Sequence, residues 1–368
     1  MNVAEIQNFV INFLSIVWEA LPFIIVGAII AGVLEELLPQ QALSKVLPRH
    51  FLPAVLIGGA LGLVFPMCEC GIVVVMRRLL RKGLPLSCCV AYMLAGPILN
   101  PIVLGSTYAA FYKHVSIPDG SLPEHSLGWP MVLLRAGIGY LVACVTGVVV
   151  HFLATRSGER SLLTATALPP APQPAKGGLS LAVVETAPAA APKRTLSQRL
   201  SNISSTALND FIDITVFLII GSLLSAVVKA DPRLIGWVVD TSRSSPAVAA
   251  PLLMALAFVL CLCSEADAFL AASFTAMSVS AKLAFLVFGP MLDIKLLLMY
   301  TRVFRPKLIA TIVACVAVQV FAYTTLSHWV YNPTIFGSVG GPVEQPAPVP
   351  PPTGTTPTSA TTPPTTGK

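Results

Sequence analysis

An apolar run beginning at Phe51 is broken in its middle by Pro66-Met67-Cys68-Glu69-Cys70-Gly71, and the same kind of break returns 193 residues later. At that offset Pro53-Ala54-Val55 falls on Pro246-Ala247-Val248, Cys68 and Cys70 on Cys261 and Cys263, Gly96-Pro97 on Gly289-Pro290, and Asn100 on Asp293. The register needs no gap between positions 53 and 100. An offset of 194 places Glu19, Phe23 and Gly27 on Asp213, Phe217 and Gly221. The chain therefore reads as two copies of one unit, each with a Cys-x-Cys break inside a segment apolar enough to lie in lipid.

Composition says what surrounds those units. Hydrophobic residues make up 55% of the 368 positions and charged residues 11%, against about 25% charged in soluble domains. Several apolar runs exceed the ~18 residues that mark a membrane segment. The fold class is an all-α, multi-pass integral membrane protein with about eight hydrophobic segments, some of them broken or re-entrant. The net charge of +6 sits mostly in loops, where it reports orientation and not a nucleic-acid partner. The N-terminal run from Ile6 to Val33 is too long for a signal-peptide core and lacks a basic flank, so it is expected to be retained as a first span.

Taken in order, residues 1–154 form the first membrane repeat and 208–330 the second. Between them, 155–207 is rich in Ala and Pro, including Leu168-Pro169-Pro170-Ala171-Pro172, and reads as a disordered cytoplasmic linker. From 331 to 368 a Pro/Thr-rich tail is expected to have no fold. Acids enter the apolar runs at Glu19, Asp210 and Asp213. Glu19 is read equally as a cavity-facing group or a helix-helix hydrogen-bonding one.

Loop charge bears on topology. Eight simple crossings spread Lys and Arg almost evenly over the two sides. If 51–80 and 246–274 instead dip in and return as re-entrant hairpins, loops 35–50, 77–83, 155–207 and 302–307 all become cytoplasmic and the basic excess there is clear. That arrangement has six full crossings and inverts the two halves, with each Cys-x-Cys at a hairpin tip. Inverted repeats with discontinuous elements at the midplane are a recurrent transporter architecture.

The motifs Pro66 to Gly71, Gly96-Pro97-Ile98-Leu99-Asn100-Pro101 and Leu262-Cys263-Ser264-Glu265-Ala266-Asp267-Ala268-Phe269 resemble the organoarsenical efflux permease (ArsP) family and its relatives of the YraQ type. The resemblance covers roughly 10–112 and 208–328. It implies an inner (plasma) membrane permease, some members of which export trivalent methylated arsenicals. The family more often has Cys-Ser-Cys-Gly where this chain has Cys68-Glu69-Cys70-Gly71, and the added carboxylate points toward a cation.

The chemistry follows from residue type. Thiolates prefer soft partners such as trivalent arsenic, copper(I) or zinc, so Cys68, Cys70, Cys261 and Cys263 are the expected substrate or metal ligands. Cys88, Cys89, Cys144 and Cys315 read as small apolar fillers. Glu69, Glu265, Asp267 and Asp293 are candidate polar groups of a pathway, one of them a proton carrier. The competing reading is internal pairing, Arg135 being one available cation. A pair of Asp293 with Lys295 is discounted, since residues two apart diverge on a helix. Asn100 and Asp293 are expected to bond backbone groups freed at the Gly-Pro breaks or to bind substrate.

No phosphate-binding loop of the Gly-x-x-x-x-Gly-Lys-Ser/Thr kind occurs, so active transport would draw on an ion gradient or a partner ATPase. The expected function is a secondary-active exporter of a small soft or thiol-reactive substrate, or of a metal ion. It is not an enzyme, and no cofactor is called for. Its partners are the lipid bilayer and that substrate, and homo-oligomerisation is left open. The alternatives are a membrane thiol oxidoreductase using the Cys-x-Cys pairs and a passive channel.

Overall fold

The computed structural model describes residues 3–37, 50–112, 128–164, 167, 196–229, 236–238, 240–242, 246–274 and 277–331. The Ala/Pro-rich core of the linker, the tail from 332 and the side chains of Glu19, Asp210 and Asp213 lie outside the described residues. Among those described, the chain is helical throughout apart from short breaks and one isolated antiparallel bridge, Leu163 to Phe304.

The helices are α1 (Val3–Leu37), α2 (Phe51–Val64), α3 (Glu69–Arg81), α4 (Leu86–Leu99), α5 (Pro101–Tyr112), α6 (Gly128–Ser157), α7 (Glu159–Leu162), α8 (Leu196–Lys229), α9 (Pro246–Leu260), α10 (Ser264–Ser273), α11 (Val279–Met291), α12 (Ile294–Tyr300) and α13 (Pro306–Tyr331). Both ends of the stretch read as linker are thus helical, in α6–α7 and at the start of α8. Among the described residues five segments are long and apolar enough to cross a membrane: Ile6–Val26, Leu86–Tyr112, Gly128–Ser157, Val279–Tyr300 and Pro306–Ser327. Helix α8 contributes a shorter apolar stretch, Thr215–Val227.

Helices α2 and α3 have 14 and 13 residues. At 1.5 Å per residue each is about 20 Å long, short of the ~30 Å hydrocarbon layer. Their directions follow from what their glycines touch. A Cβ on Gly58 would meet Cys88, and one on Gly62 would come within 2.6 Å of the Gly96 Cα, so α2 runs parallel to α4. Helix α3 joins α4 through the short turn at 82–85, and Ile72 lies against Gly96, so α3 runs antiparallel to α4. The chain therefore reverses at 65–68. Around the second Cys-x-Cys break, Ala257 of α9 and Asp267 of α10 both lie against Gly289, while Phe274 meets Phe285 edge-on.

Helices α4 and α5 run antiparallel to α6 as one interrupted element: Gly147 packs on Ser87 and Ala91, Gly139 on Ile98, and Gly128 on Tyr108. The interruption expected within Ala95–Pro101 falls at Asn100, past Gly96-Pro97, and its counterpart lies at Leu292–Asp293. A proline forfeits a bond to the carbonyl four residues earlier without ending the helix at its own position. The Asn and Asp end it, because their side chains cap the next helix: Asn100 Oδ1 accepts from the Ile102 N–H at 3.0 Å, and Asp293 Oδ1 from the Leu296 N–H at 2.7 Å.

Helix α4 is buried along its whole length and α11 from Ala281 to Met291. They pack on each other at the centre, with α1 against α8 and α6 against α13. Helix α5 packs on α10 and α12 on α3. One end of the molecule gathers the loops at 82–86, 158–164 and 301–306. There Glu159 Oε1 accepts from the Leu86 N–H at 2.8 Å, and the Arg305 N–H donates to Leu162 O at 2.9 Å. Since α6 ends and α13 begins at that same end, the two run antiparallel. The outer faces carry exposed Trp18, Ile29, Leu133, Ile212, Val318 and Phe321, as a lipid-facing surface requires.

Candidate functional site

Cys68 and Cys263 are the residues preceding α3 and α10. Pro66 lies just ahead of the first break, where its missing N–H leaves no helical bond to lose. The Cys68 Sγ accepts from the Gly71 N–H at 3.4 Å, so the sulfur itself caps α3. Cys261 takes φ +48°, the left-handed region, at a cost of about 1–3 kcal/mol for a residue with a Cβ. Its sulfur donates to Phe258 O at 3.5 Å and faces the backbone N–H groups of Ile294 and Lys295.

That turn aims the carbonyls of 261 and 262 at a cation. Lys295 Nζ donates to Cys261 O at 3.3 Å, to Leu262 O at 3.5 Å and to Glu69 Oε1 at 2.9 Å. Asp293 Oδ2 lies 3.4 Å from the same nitrogen. The three residues are each 1% exposed. The pairing of Asp293 with Lys295, discounted on helical geometry, is therefore present. Asp293 is the cap residue, with an extended backbone (φ −137°, ψ 176°), so the helical divergence of residues two apart does not apply. All four Cys-x-Cys thiols are near enough to feel the Lys295 charge.

A second buried base stands beside this cluster. Arg135 of α6 is fully buried; its Nη1 donates to Thr107 Oγ1 at 2.6 Å and its Nη2 to Ser264 O at 3.0 Å. Asp267 and Glu265 of α10 and Glu69 are the acids whose charge reaches it. Asp267 is 2% exposed, and its Oδ2 has no hydrogen-bond partner; Glu265 is half-buried. Asn100 is buried at 4% exposure and bonded to the start of α5.

The structure thus places Cys68, Glu69, Cys70, Cys261, Cys263 and Asp293 around one ammonium, with Asp267 and Glu265 toward Arg135. Lys295 is the residue that sequence reasoning passed over. Its signal was a cation inside the apolar 281–300 run beside a helix break. Among the described residues no three His, Cys, Asp or Glu side chains form a group able to hold a metal ion. All eight cysteines are thiols, none in a disulfide.

Residues 5–329 match the ArsP family model, described as "Predicted permease". The chain belongs to that permease family. The ArsP-type chain is 35% identical over 319 residues to the UPF0718 protein YcgR of Bacillus subtilis (strain 168), covering 85% of this chain and 95% of that one. It is 31% identical over 314 residues to a Streptococcus mutans protein whose name describes a subunit of a two-component membrane permease complex, covering 84% and 92%. No solved structure matches this permease.

Proposed function

We propose that this permease is a secondary-active exporter of the inner plasma membrane, moving a small soft or thiol-reactive substrate of the organoarsenical kind past the four Cys-x-Cys thiols. The observation that carries the reading is the convergence of both breaks on Lys295: the Glu69 carboxylate comes from one repeat, and the Cys261 and Leu262 carbonyls from the other. Thiols from two symmetric breaks at one buried place are an arrangement that a purely structural role does not require.

The rest of the architecture supports a transporter. We read the chain as two inverted repeats, with α2–α3 and α9–α10 as re-entrant hairpins and α1, α4–α5, α6, α8, α11–α12 and α13 as the six crossings. The 193-residue offset carries α4 onto α11 and α5 onto α12 almost without shift. Helices α1, α4 and α6 each pack on their own counterparts, while α3 and α10 each take the other repeat's post-break helix. That is the pattern of a two-fold relation. The antiparallel run of α6 and α13 favours an axis in the membrane plane. The gathered end carries Arg81, Lys82, Arg156, Arg160, Arg302 and Arg305, which favours the cytoplasm.

The name of the Streptococcus relative supports a second, partner subunit. The experiment is resistance to a panel of trivalent arsenicals and soft metals in cells expressing the Cys68→Ala/Cys70→Ala variant. Resistance to arsenicals should be lost while membrane insertion is unchanged. Full resistance in the double variant would remove the thiol site from the mechanism.

A further inference from the structure

Five ionisable side chains, each at most 2% exposed, meet at the junction of the two breaks: Glu69, Asp267, Asp293, Arg135 and Lys295. Three acids against two bases leave one uncompensated negative charge if all are ionised. A buried unpaired carboxylate is far too costly to persist, and such groups neutralise instead. One of the three acids must therefore take a proton, and the contacts indicate which.

Glu69 and Asp293 both lie on the Lys295 ammonium, at 2.9 and 3.4 Å. Among the described residues Asp267 makes no ion pair. The two terminal nitrogens of Arg135 are held elsewhere, on Thr107 and the Ser264 carbonyl. Of the buried atoms without a hydrogen-bond partner at this junction, Glu69 Oε2 and Asp293 Oδ2 belong to acids already paired with Lys295 and Ser264 Oγ is uncharged, which leaves an acceptor at Asp267 Oδ2 and a donor at Arg135 Nε. The charged groups acting on Asp267 are Arg135 from α6, Glu69 from α3, and Asp293 and Lys295 at the start of α12. From α11, Gly289 lies against it, where a Cβ would come within 2.9 Å of Oδ2, while the cation of that helix, Lys282, stands over the Phe111 ring.

We propose that Asp267 is the binding site of an exchangeable proton that drives export, with Arg135 as the group that receives the carboxylate when the proton leaves. The inference rests on the exporter reading for its coupling, though not for the proton itself. In the described state the Asp267 carboxyl is neutral and Arg135 is tied to Thr107 and Ser264 O. When the site opens to water of the proton-releasing side, the O–H bond breaks. The proton goes to that water, and the carboxylate oxygen pairs with Arg135. Turning Arg135 toward Asp267 frees the carbonyl of Ser264, the residue next to Cys263, so proton loss and the geometry of the second thiol pair change together.

Two measurements on the full chain test this. Infrared spectra of the purified protein at neutral pH should contain the C=O band of a protonated buried carboxyl, removed by Asp267→Asn and kept in Glu69→Gln. Absence of the band in the wild type, or its survival in Asp267→Asn, overturns the proposal without any substrate. In proteoliposomes with a trivalent phenylarsenical as probe, Asp267→Asn should lose accumulation driven by an imposed pH gradient, down to the level of protein-free vesicles. It should retain exchange of labelled for unlabelled probe, which needs no net proton movement. Gradient-driven accumulation at wild-type level in Asp267→Asn would likewise overturn it. A wild type that moves no arsenical would instead remove the exporter reading, with the infrared result still deciding the proton site.

Discussion

Lys295 is held by the Glu69 carboxylate of α3, two carbonyls from a strained turn and the acid two residues before it. Removing the base leaves two buried acids facing each other. Lys295→Met should therefore lower stability by about 3–5 kcal/mol, read as an earlier unfolding midpoint in detergent. Pairing it with Glu69→Gln should recover part of that loss, because the second change removes one orphaned charge. An unaltered midpoint in Lys295→Met would contradict the buried network. At this scale the sequence was legible in part. Its offset singled out Cys68, Cys70, Cys261, Cys263, Asn100 and Asp293, because duplicated positions reveal themselves. The ion cluster is not duplicated: at the same offset Glu69 faces Leu262, Lys295 faces Ile102 and Asp267 faces Val74. A pairing that joins unlike positions of the two repeats leaves no trace in an internal alignment.

At the scale of elements, the close packing of α2 on α4 is set by Gly62, whose missing side chain lets it lie on the Gly96 backbone. A side chain on Gly62 would strike the Gly96 backbone, whereas Gly105 and Gly137 face open space. Gly62→Leu should push α2 outward and abolish resistance to arsenicals together with thermal stability, while Gly105→Ala and Gly137→Ala should leave both near wild type. Equal tolerance at all three sites in a melting and resistance assay would mean that α2 does not lie against α4. The hairpin at 65–68 was readable because Pro66 and a cluster of polar atoms interrupt an otherwise apolar run. The second break was readable only to within a few residues. Within the interruption Ala95–Pro101 the helix passes through Gly96-Pro97 and stops at Asn100, where a side chain can cap the next one.

For the molecule as a whole, the gathering of 82–86, 158–164 and 301–306 at one end predicts sidedness. Reporters inserted after Gly83, Gly158 and Arg302 should all read cytoplasmic, and one placed before Ser278 should read external. Opposite readings at Gly158 and Arg302 would break the antiparallel relation of α6 and α13. Charge distribution along the sequence foreshadowed this end, because basic loops keep to one side. It could not show which helix packs on its own counterpart, since that depends on contacts between residues far apart in the chain.

The central claim is that sulfur-bearing turns from opposite repeats occupy one place, and cross-linking tests it most directly. A variant keeping only Cys70 and Cys263 is treated with a short thiol-to-thiol reagent, then cut at a protease site inserted between residues 170 and 190. The account predicts that the two halves stay joined after cutting, and that arsenical added beforehand prevents the link. Halves that separate completely, with both thiols shown to be modified, would contradict it.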